Sequence, residues 1–292
     1  MDKLIKATAG EGTVRILAAE TKHLVNRGME LHGLTPTGAA LLGRMLTMGV
    51  MMGSMLKNAE DLLTIQMNGK GPAAGCLVTA GGNLKVKGYV GNPEVDLPRK
   101  ANGKLDVAGA MGTDGGLTVI MDMGLKEPYV SSTPIQTGEI AEDFAYYYTV
   151  SEQTPSAVAL GVMIDPDLTV GQAGGFIIQM MPGHSPETAD LLSDALEKLP
   201  TLTNLLSEGK SMEDILRIIF AGLNLKINEI HEPEYFCDCS REKVEKVLIS
   251  IGLKDLTELY EDGTTESLTC HFCNKHYDFT HEEIGKLLAE AR

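Results

Sequence analysis

The sequence has no excess of positive charge. Its 40 aspartates and glutamates outnumber its 25 lysines and arginines, which gives a formal net charge of −15 over 292 residues. Binding to nucleic acid depends on clustered lysine and arginine. We therefore expect no nucleic-acid partner, and the same charge disfavours binding to an anionic membrane surface.

Long apolar runs are also scarce. The longest, Ala39 to Leu56, is interrupted by Arg44 and is shorter than the roughly 20 residues that span a bilayer, so we expect a buried helix there. The N-terminal segment has neither the apolar stretch nor the cleavage site of a secretory signal, and we expect no signal peptide. The odd number of cysteines argues against a disulfide framework, so we expect a protein of the reducing cytoplasm.

Nucleotide-binding motifs are missing as well. No G-x4-G-K-[ST] sequence occurs, and residues 69–75 have the form G-x-G-x3-G, which is not the dinucleotide fingerprint. Pro72 would also interrupt a loop that cradles phosphate. We expect no nucleotide partner.

The first 183 residues contain no obvious catalytic group. Cys76 has no histidine or acid linked to it in sequence, so we expect a small buried residue rather than a nucleophile. A methionine stripe at helical spacing favours core packing, with a binding surface for other proteins as the alternative; it consists of Met45, Met48, Met52 and Met55.

The apolar pattern predicts an α+β protein in three parts. Residues 1–183 alternate strand-like and helical pieces, which indicates a mostly antiparallel sheet core with helices. Residues 184–231 have the pattern of a helical linker whose short helices need a partner to be stable, and residues 232–292 form a small C-terminal domain. Strands are predicted at 13–16, 62–67, 77–80, 84–90, 117–121, 157–164, 176–181 and 267–269, and helices at 35–58, 138–152 and 241–251.

Several helices in the linker and the tail carry start signals. Ser185-Pro186-Glu187 provides a cap, a proline in the first turn and an acid, while residues 211–214 and 280–283 have the pattern of capping boxes. Gly252 is placed to end the helix at 241–251. The side chains of this helix that we expect to face inward are Val244, Val247, Leu248 and Ile251.

Four of the five cysteines lie in the C-terminal domain, as Cys237-Asp238-Cys239 and Cys270-His271-Phe272-Cys273. Two close thiol pairs predict a tetrahedral zinc site, with one ion per chain and all four cysteines as ligands. His271 and His276 are then expected to be neighbours of the site. A complete shell of thiolates leaves no open position for hydrolytic chemistry, and the metal would stabilise a domain with few large apolar side chains.

Three functions remain open for such a site. The zinc can be structural, in a constitutive interaction module. It can be a redox switch, because thiolates are the species that oxidants attack. A thiol oxidoreductase is the third, although no βαβ pattern of the thioredoxin kind surrounds Cys270. The spacing alone does not separate the structural site from the switch.

The residues around the thiols resemble a known family. The segments Phe236–Val244 and Cys270–Asn274 are similar to those of the 33 kDa chaperonin (heat shock protein 33) family of redox-regulated bacterial chaperones. The resemblance continues upstream in His32–Thr37, Gly43-Arg44 and Gly88–Pro93. It therefore covers essentially the whole chain.

The resemblance implies a holdase that acts without ATP and is not an enzyme. The reduced, zinc-bound form would be inactive. Oxidants would form the disulfides Cys237–Cys239 and Cys270–Cys273, release the zinc, unfold the tail and the linker, and give a dimer that captures unfolding proteins. In that case the linker residues expected to become exposed for client binding are Leu191, Leu192, Leu199, Ile215, Ile218 and Ile219.

Overall fold

The chain forms two units, Met1–Phe236 and the residues from Cys237 onward, in a computed structural model that describes residues 1–291. The mixed α and β composition, with mostly antiparallel sheets, confirms the predicted α+β class. Residues 184–231 lie within the first unit, and a linker that acts as a separate domain stays a prediction. Among residues 1–291, no helix is both long and apolar enough to cross a membrane.

The first unit contains two sheets and seven helices within the described residues. Its strands are β1 (Lys3–Ala9), β2 (Val14–Glu20), β3 (Leu62–Asn68), β4 (Cys76–Gly81), β5 (Lys85–Val90), β6 (Gly116–Asp122), β7 (Tyr129–Pro134), β8 (Ser156–Ile164), β9 (Val170–Met180), β10 (Lys226–His231) and β11 (Glu234–Tyr235). Its helices are α1 (Lys22–His32), α2 (Pro36–Gly53), α3 (Val107–Met111), α4 (Ile140–Val150), α5 (Pro186–Glu197), α6 (Leu202–Ser207) and α7 (Met212–Ile219).

The sheets have the strand orders β10-β1-β2-β9-β8 and β11-β5-β4-β3-β6-β7. Every neighbouring pair is antiparallel except β11 and β5, which run parallel. Every strand predicted in residues 1–183 overlaps an observed one. The structure adds β1, β7, β10 and β11, which the sequence pattern did not reveal.

Helix α2 lies between the two sheets and is buried along most of its 18 residues. It begins where predicted, because the Thr35 side chain accepts a hydrogen bond from the backbone of Gly38 at 3.2 Å and Pro36 suits the first turn. Glycine permits close approach to the sheet, since a Cβ on Gly49 would lie 2.7 Å from Val78. The helix ends at Gly53, short of the predicted residue 58.

Two sequence predictions for the core are confirmed. Met45, Met48 and Met52 are buried in the main apolar cluster, and Met55 packs against it. Cys76 is only 3% exposed, and burial raises the pKa of its thiol, which removes it as a nucleophile at neutral pH.

Helices α5 to α7 cover the face of the five-stranded sheet that is turned away from α2. Ile215 and Ile219 are buried there with Ile16 and Ile178 of the sheet. The predicted capping box is present at the start of α7, where Ser211 and Asp214 bond reciprocally. Of the linker residues named above, Leu192, Ile215 and Ile219 are buried, Leu199 is partly buried, and Leu191 and Ile218 are exposed.

The second unit is built from a two-stranded hairpin and three helices: α8 (Arg241–Ser250), α9 (Leu253–Glu261), β12 (Glu266–Thr269), β13 (His276–Phe279) and α10 (His281–Glu290). Its core consists of Leu248, Leu256, Tyr277, Phe279, Ile284, Leu287 and Leu288. The predicted capping box at Thr280 and Glu283 is present.

The prediction of four inward residues on α8 was wrong for two of them. Leu248 is buried and Val244 is partly buried, but Val247 is 59% and Ile251 is 40% exposed. The reason is the size of the unit: the helices α9 and α10 cover only a narrow stripe of α8, whereas the apolar spacing alone indicated a wider one.

Candidate metal centre

The first cysteine pair lies directly before α8. The Ser240 side chain accepts a hydrogen bond from the backbone of Lys243 and so fixes the start of that helix. Lys243 forms an ion pair with Asp238, the residue between the two cysteines. The position of Cys239 is thus set by local helix capping.

The second pair lies in the turn between β12 and β13. The backbone N–H of Asn274 donates to the carbonyl of Cys270 at 2.8 Å, and the N–H of Cys270 donates to Lys275 at 2.9 Å. Asn274 adopts a left-handed conformation with φ of 55°, which asparagine tolerates better than most residues. The tight turn brings the Cys270 and Cys273 thiols to one side of the hairpin end.

The structure brings the four thiols together. All four sulfur atoms lie within 4.8 Å of one another, with 3.7 Å between the Sγ atoms of Cys237 and Cys270 and 3.3 Å between those of Cys239 and Cys273. Four sulfurs around a tetrahedral zinc with bonds of about 2.3 Å lie about 3.8 Å apart. The donor set and its spacing therefore fit a metal ion of this kind.

Hydrogen bonds from the backbone favour the thiolate form in both half-sites. The N–H of Cys239 donates to the Cys237 sulfur, and the N–H of Lys275 donates to the Cys273 sulfur. Burial nevertheless raises the pKa of Cys237 and of Cys273 above the usual value. A bound cation removes this cost because it stabilises the charged sulfurs.

Tyr277 contacts the candidate site, which the sequence motifs did not predict. Its hydroxyl donates a hydrogen bond of 3.1 Å to the Cys239 sulfur. Burial alone would raise the pKa of Cys239, but the bonds from Tyr277 and the neighbouring thiols lower it to about 7. The alternation of β13, which turns Tyr277 and Phe279 inward together, is the sequence signal that locates this residue.

Neither nearby histidine belongs to the cluster of candidate ligands. His276 Nδ1 lies 2.9 Å from the hydroxyl of Thr269 across the hairpin, and the group of four that can hold a metal contains cysteines alone among residues 1–291. Arg241 links the start of α8 to β13 and α10, since it lies 4.3 Å above the Phe279 ring and 2.7 Å from Glu283.

Comparison with known proteins agrees with this fold and site. The family model described as Hsp33 protein matches residues 2–280. The chain is 59% identical over 287 residues to the 33 kDa chaperonin of Clostridium tetani, covering 98% of each protein. It is 56% identical over 291 residues to the 33 kDa chaperonin of Clostridium novyi, covering 100% of this chain and 99% of that one.

A solved structure extends the likeness to three dimensions. The crystal structure of the 33 kDa chaperonin (heat shock protein 33 homolog) from Thermotoga maritima aligns with a TM-score of 0.91 at 35% identity, over 99% of this chain and 98% of that one. An α+β fold with four clustered thiols, together with relatives that are named chaperonins, defines a chaperone. The chain belongs to the Hsp33 family, and the resemblance noted in its sequence is confirmed.

Proposed function

We propose that this protein is a redox-regulated holdase that binds unfolding proteins without ATP in the cytoplasm. The observation that carries the proposal is the cluster of four thiols within 4.8 Å in a unit whose apolar core is small. Such a unit depends on its metal for folding. A reagent that reacts with the thiols and so releases the metal would therefore destabilise the folded unit.

The ligands in this proposal are Cys237, Cys239, Cys270 and Cys273, and the metal is zinc. Zinc binds thiolates more strongly than harder cations do. A tetrahedral set of four thiolates is a usual structural zinc site. Bound zinc would cross-link the two half-sites and supply folding free energy of roughly 10–16 kcal/mol. The chain contributes backbone N–H donors to Cys237 and Cys273 and the Tyr277 hydroxyl to Cys239, and these hydrogen bonds favour the thiolate form that the metal binds.

Oxidation would join Cys237 to Cys239 and Cys270 to Cys273. Each disulfide requires the loss of two electrons from a pair of thiolates, and one peroxide molecule accepts these electrons and takes up two protons from water as it becomes two waters. Two short sulfur distances, 3.7 Å and 3.3 Å, join thiols of different half-sites. Once the unit loosens, however, thiols two or three residues apart meet more often than thiols more than thirty apart, which supports pairing within each half-site.

Unfolding of the tail would then release the linker. The last strand of that linker, β10, ends at His231, and only residues 232–236 separate it from Cys237 along the backbone. Release of α5 to α7 would expose Leu192, Ile215 and Ile219 together with the sheet face that they cover. This apolar surface would bind clients, and the same exposure would support dimer formation.

Two measurements on the reduced, zinc-loaded protein test the proposal. Zinc release is followed with a chromogenic chelator, and light scattering follows a heat-unfolding client, each with and without peroxide at elevated temperature. We expect zinc release and suppression of scattering only after oxidation. Equal suppression by the reduced protein, or zinc that is retained in peroxide, would contradict the switch and favour a constitutive zinc module.

The variant Cys237→Ser sharpens this test. It removes one ligand and one disulfide partner, so we expect weaker zinc binding, a less stable reduced tail and altered redox control. Unchanged zinc stoichiometry together with unchanged activation by peroxide would exclude Cys237 from the site.

A further inference from the structure

A single segment, residues 226–236, occupies one edge of each sheet in the first unit. Strand β10 pairs antiparallel with β1, in a register that runs from Leu4 opposite His231 to Thr8 opposite Lys226. Strand β11 pairs parallel with β5. An unpaired strand edge can pair with another extended chain. Residues 226–236, which we call the masking segment, cover two such edges.

The masking segment is held at β1 mainly by its backbone. Most β10 side chains are exposed, and Ile230 is 49% exposed. The few side-chain contacts include an ion pair of 3.4 Å between Lys6 and Glu229 and a hydrogen bond of 3.3 Å from Asn228 to Thr8. A strand with so little buried surface is released easily when its support is lost.

At β5 the segment is anchored by two backbone bonds and by the side chains of Tyr235 and Phe236. The N–H of Glu234 donates to Leu84 at 3.1 Å and that of Phe236 donates to Val86 at 2.9 Å. The Tyr235 hydroxyl donates to the Gly88 carbonyl at 3.0 Å. Phe236 also lies beneath Lys85, whose ammonium is 3.9 Å from the ring centre.

The charges of the segment and of the two edges are complementary. Strands β1 and β5 carry Lys3, Lys6, Lys85 and Lys87, in a chain whose net charge is −15. The masking segment reads KINEIHEPEYF and carries three glutamates, at 229, 232 and 234. Lysine on an edge strand discourages pairing with a second lysine-bearing edge, whereas an acidic strand is attracted to it.

The other edge of the six-stranded sheet, formed by β7, differs from the edge at β5. β7 is mostly exposed, is rich in serine and threonine, and ends at Pro134, and polar residues and proline protect an edge from pairing. Neither β7 nor β8 pairs with the masking segment. The edges of β1 and β5 are thus the two whose access depends on residues next to Cys237.

We infer that the edges of β1 and β5 are docking surfaces for extended segments of unfolding proteins, in which acidic residues alternate with apolar or aromatic ones. Residues 226–236 are a built-in competitor that occupies both edges while the tail is folded. The client adds a strand to each sheet by main-chain hydrogen bonds, with specificity from the lysines. This inference rests on the proposed function, because release of the segment follows from unfolding of the tail.

A peptide with the sequence of residues 226–236, labelled with a fluorophore, tests the inference by anisotropy against the full-length protein. We expect binding to the peroxide-treated form that is at least about tenfold tighter than binding to the reduced form, since a tethered competitor acts at millimolar effective concentration. The matched control peptide carries lysine in place of the three glutamates and should bind more weakly to the oxidised form. Equal binding of both peptides, or equal binding to both forms, overturns the inference.

Hydrogen exchange then locates the bound peptide. Backbone amides of β1 and β5 should lose protection on oxidation and regain it with the peptide, and with carboxymethylated α-lactalbumin as a permanently unfolded client. Amides of β7 should not respond. Protection that returns without peptide as the protein concentration rises would mean that a second copy occupies the edges, and this would overturn the inference.

The same samples separate this inference from the proposed function. If the oxidised protein does not retain carboxymethylated α-lactalbumin on gel filtration, the holdase function itself fails. If it retains that client while β1 and β5 gain no protection, the function stands and the edge-docking inference fails alone. As a check on the anchor, Tyr235→Ala should lower the protection of β5 in the reduced protein, whereas Tyr129→Ala, on the opposite edge of the same sheet, should not.

Discussion

Each of the two units of this protein is stabilised in a different way. In the first, α2 is buried between two sheets, and both faces of the five-stranded sheet are covered by apolar side chains. In the second, seven buried apolar residues are described, and four thiols lie within 4.8 Å of one another. Large cores are stable by themselves, whereas small ones need a cross-link or a metal.

In the function proposed above, this difference is the reason to place the sensing role in the smaller unit. A reagent that reacts with thiols finds Cys76 buried in the large core, where it is shielded and its loss changes little. The four cysteines of the small unit are partly exposed to the same reagent. They are also the residues through which a bound metal would cross-link that unit. The predictions below test this contrast between a unit that depends on packing and one that depends on its metal.

Metal removal should have the largest effect. Treatment of the reduced protein with a strong chelator should unfold residues from 237 onward, because zinc supplies roughly 10–16 kcal/mol to such sites, and leave α2 and strands β1 to β9 folded. Hydrogen exchange measures both regions in one sample. Retained protection of Phe279 and Leu287 amides after complete zinc loss would show that the tail is stable through packing alone.

Truncation of one buried phenylalanine in each unit should give unequal outcomes. Phe279 and Phe144 are both fully buried, and replacement of each by alanine should cost about 3–5 kcal/mol. We expect Phe144→Ala to lower the melting temperature of a first unit that still folds. Phe279→Ala should disorder the tail and lower zinc affinity, as thermal unfolding and zinc competition would measure. If both variants stay folded with a lower melting temperature, the second unit is stabilised by packing in the same way as the first.

Loss of the Tyr277 hydroxyl should have a smaller effect that is confined to the metal centre. In Tyr277→Phe the ring still fills the core, but the donor to Cys239 is lost. Removal of such an outer partner typically lowers metal affinity by about 10- to 100-fold. Zinc competition against a chromogenic chelator measures this, and Tyr260→Phe in the same unit is the control. Identical zinc affinities would show that the hydroxyl does not support the ligand.

The smallest effect is expected at the fifth cysteine. Cys76→Ala removes one sulfur from the main core and should cost about 1 kcal/mol of folding free energy. Zinc stoichiometry and the response to peroxide should not change, since Cys76 lies at the start of β4 in the first unit. Altered activation in this variant would show that the large unit also senses oxidant.

The sequence predicted what local chemistry determines. The helix start near residue 35, the capping boxes at Ser211 and Thr280, and the burial of Cys76 all follow from short-range patterns, and the structure confirms them. The cysteine spacing indicated a cluster because two short pairs assemble at little entropic cost. The proximity of the four thiols is in the structure, while the identity of the metal remains a proposal.

What the sequence did not reveal depends on distant parts of the chain. Strands β10 and β11 are polar and short, and they are strands only because β1 and β5 offer edges to pair with. The exposure of Val247 depends on how little of α8 its neighbours cover. The bond from Tyr277 to Cys239 joins residues on two elements, which a one-dimensional pattern does not bring together.

The position of the masking segment also bears on synthesis of the protein. β1 is among the first residues to leave the ribosome and β5 follows early, whereas residues 226–236 are made near the end. At typical rates of translation, both edges are without their covering strands for on the order of ten seconds or more. A nascent chain in this interval presents open templates to its neighbours on the polysome. The time before residues 226–236 are made is therefore the interval in which pairing between unfinished chains has to be avoided.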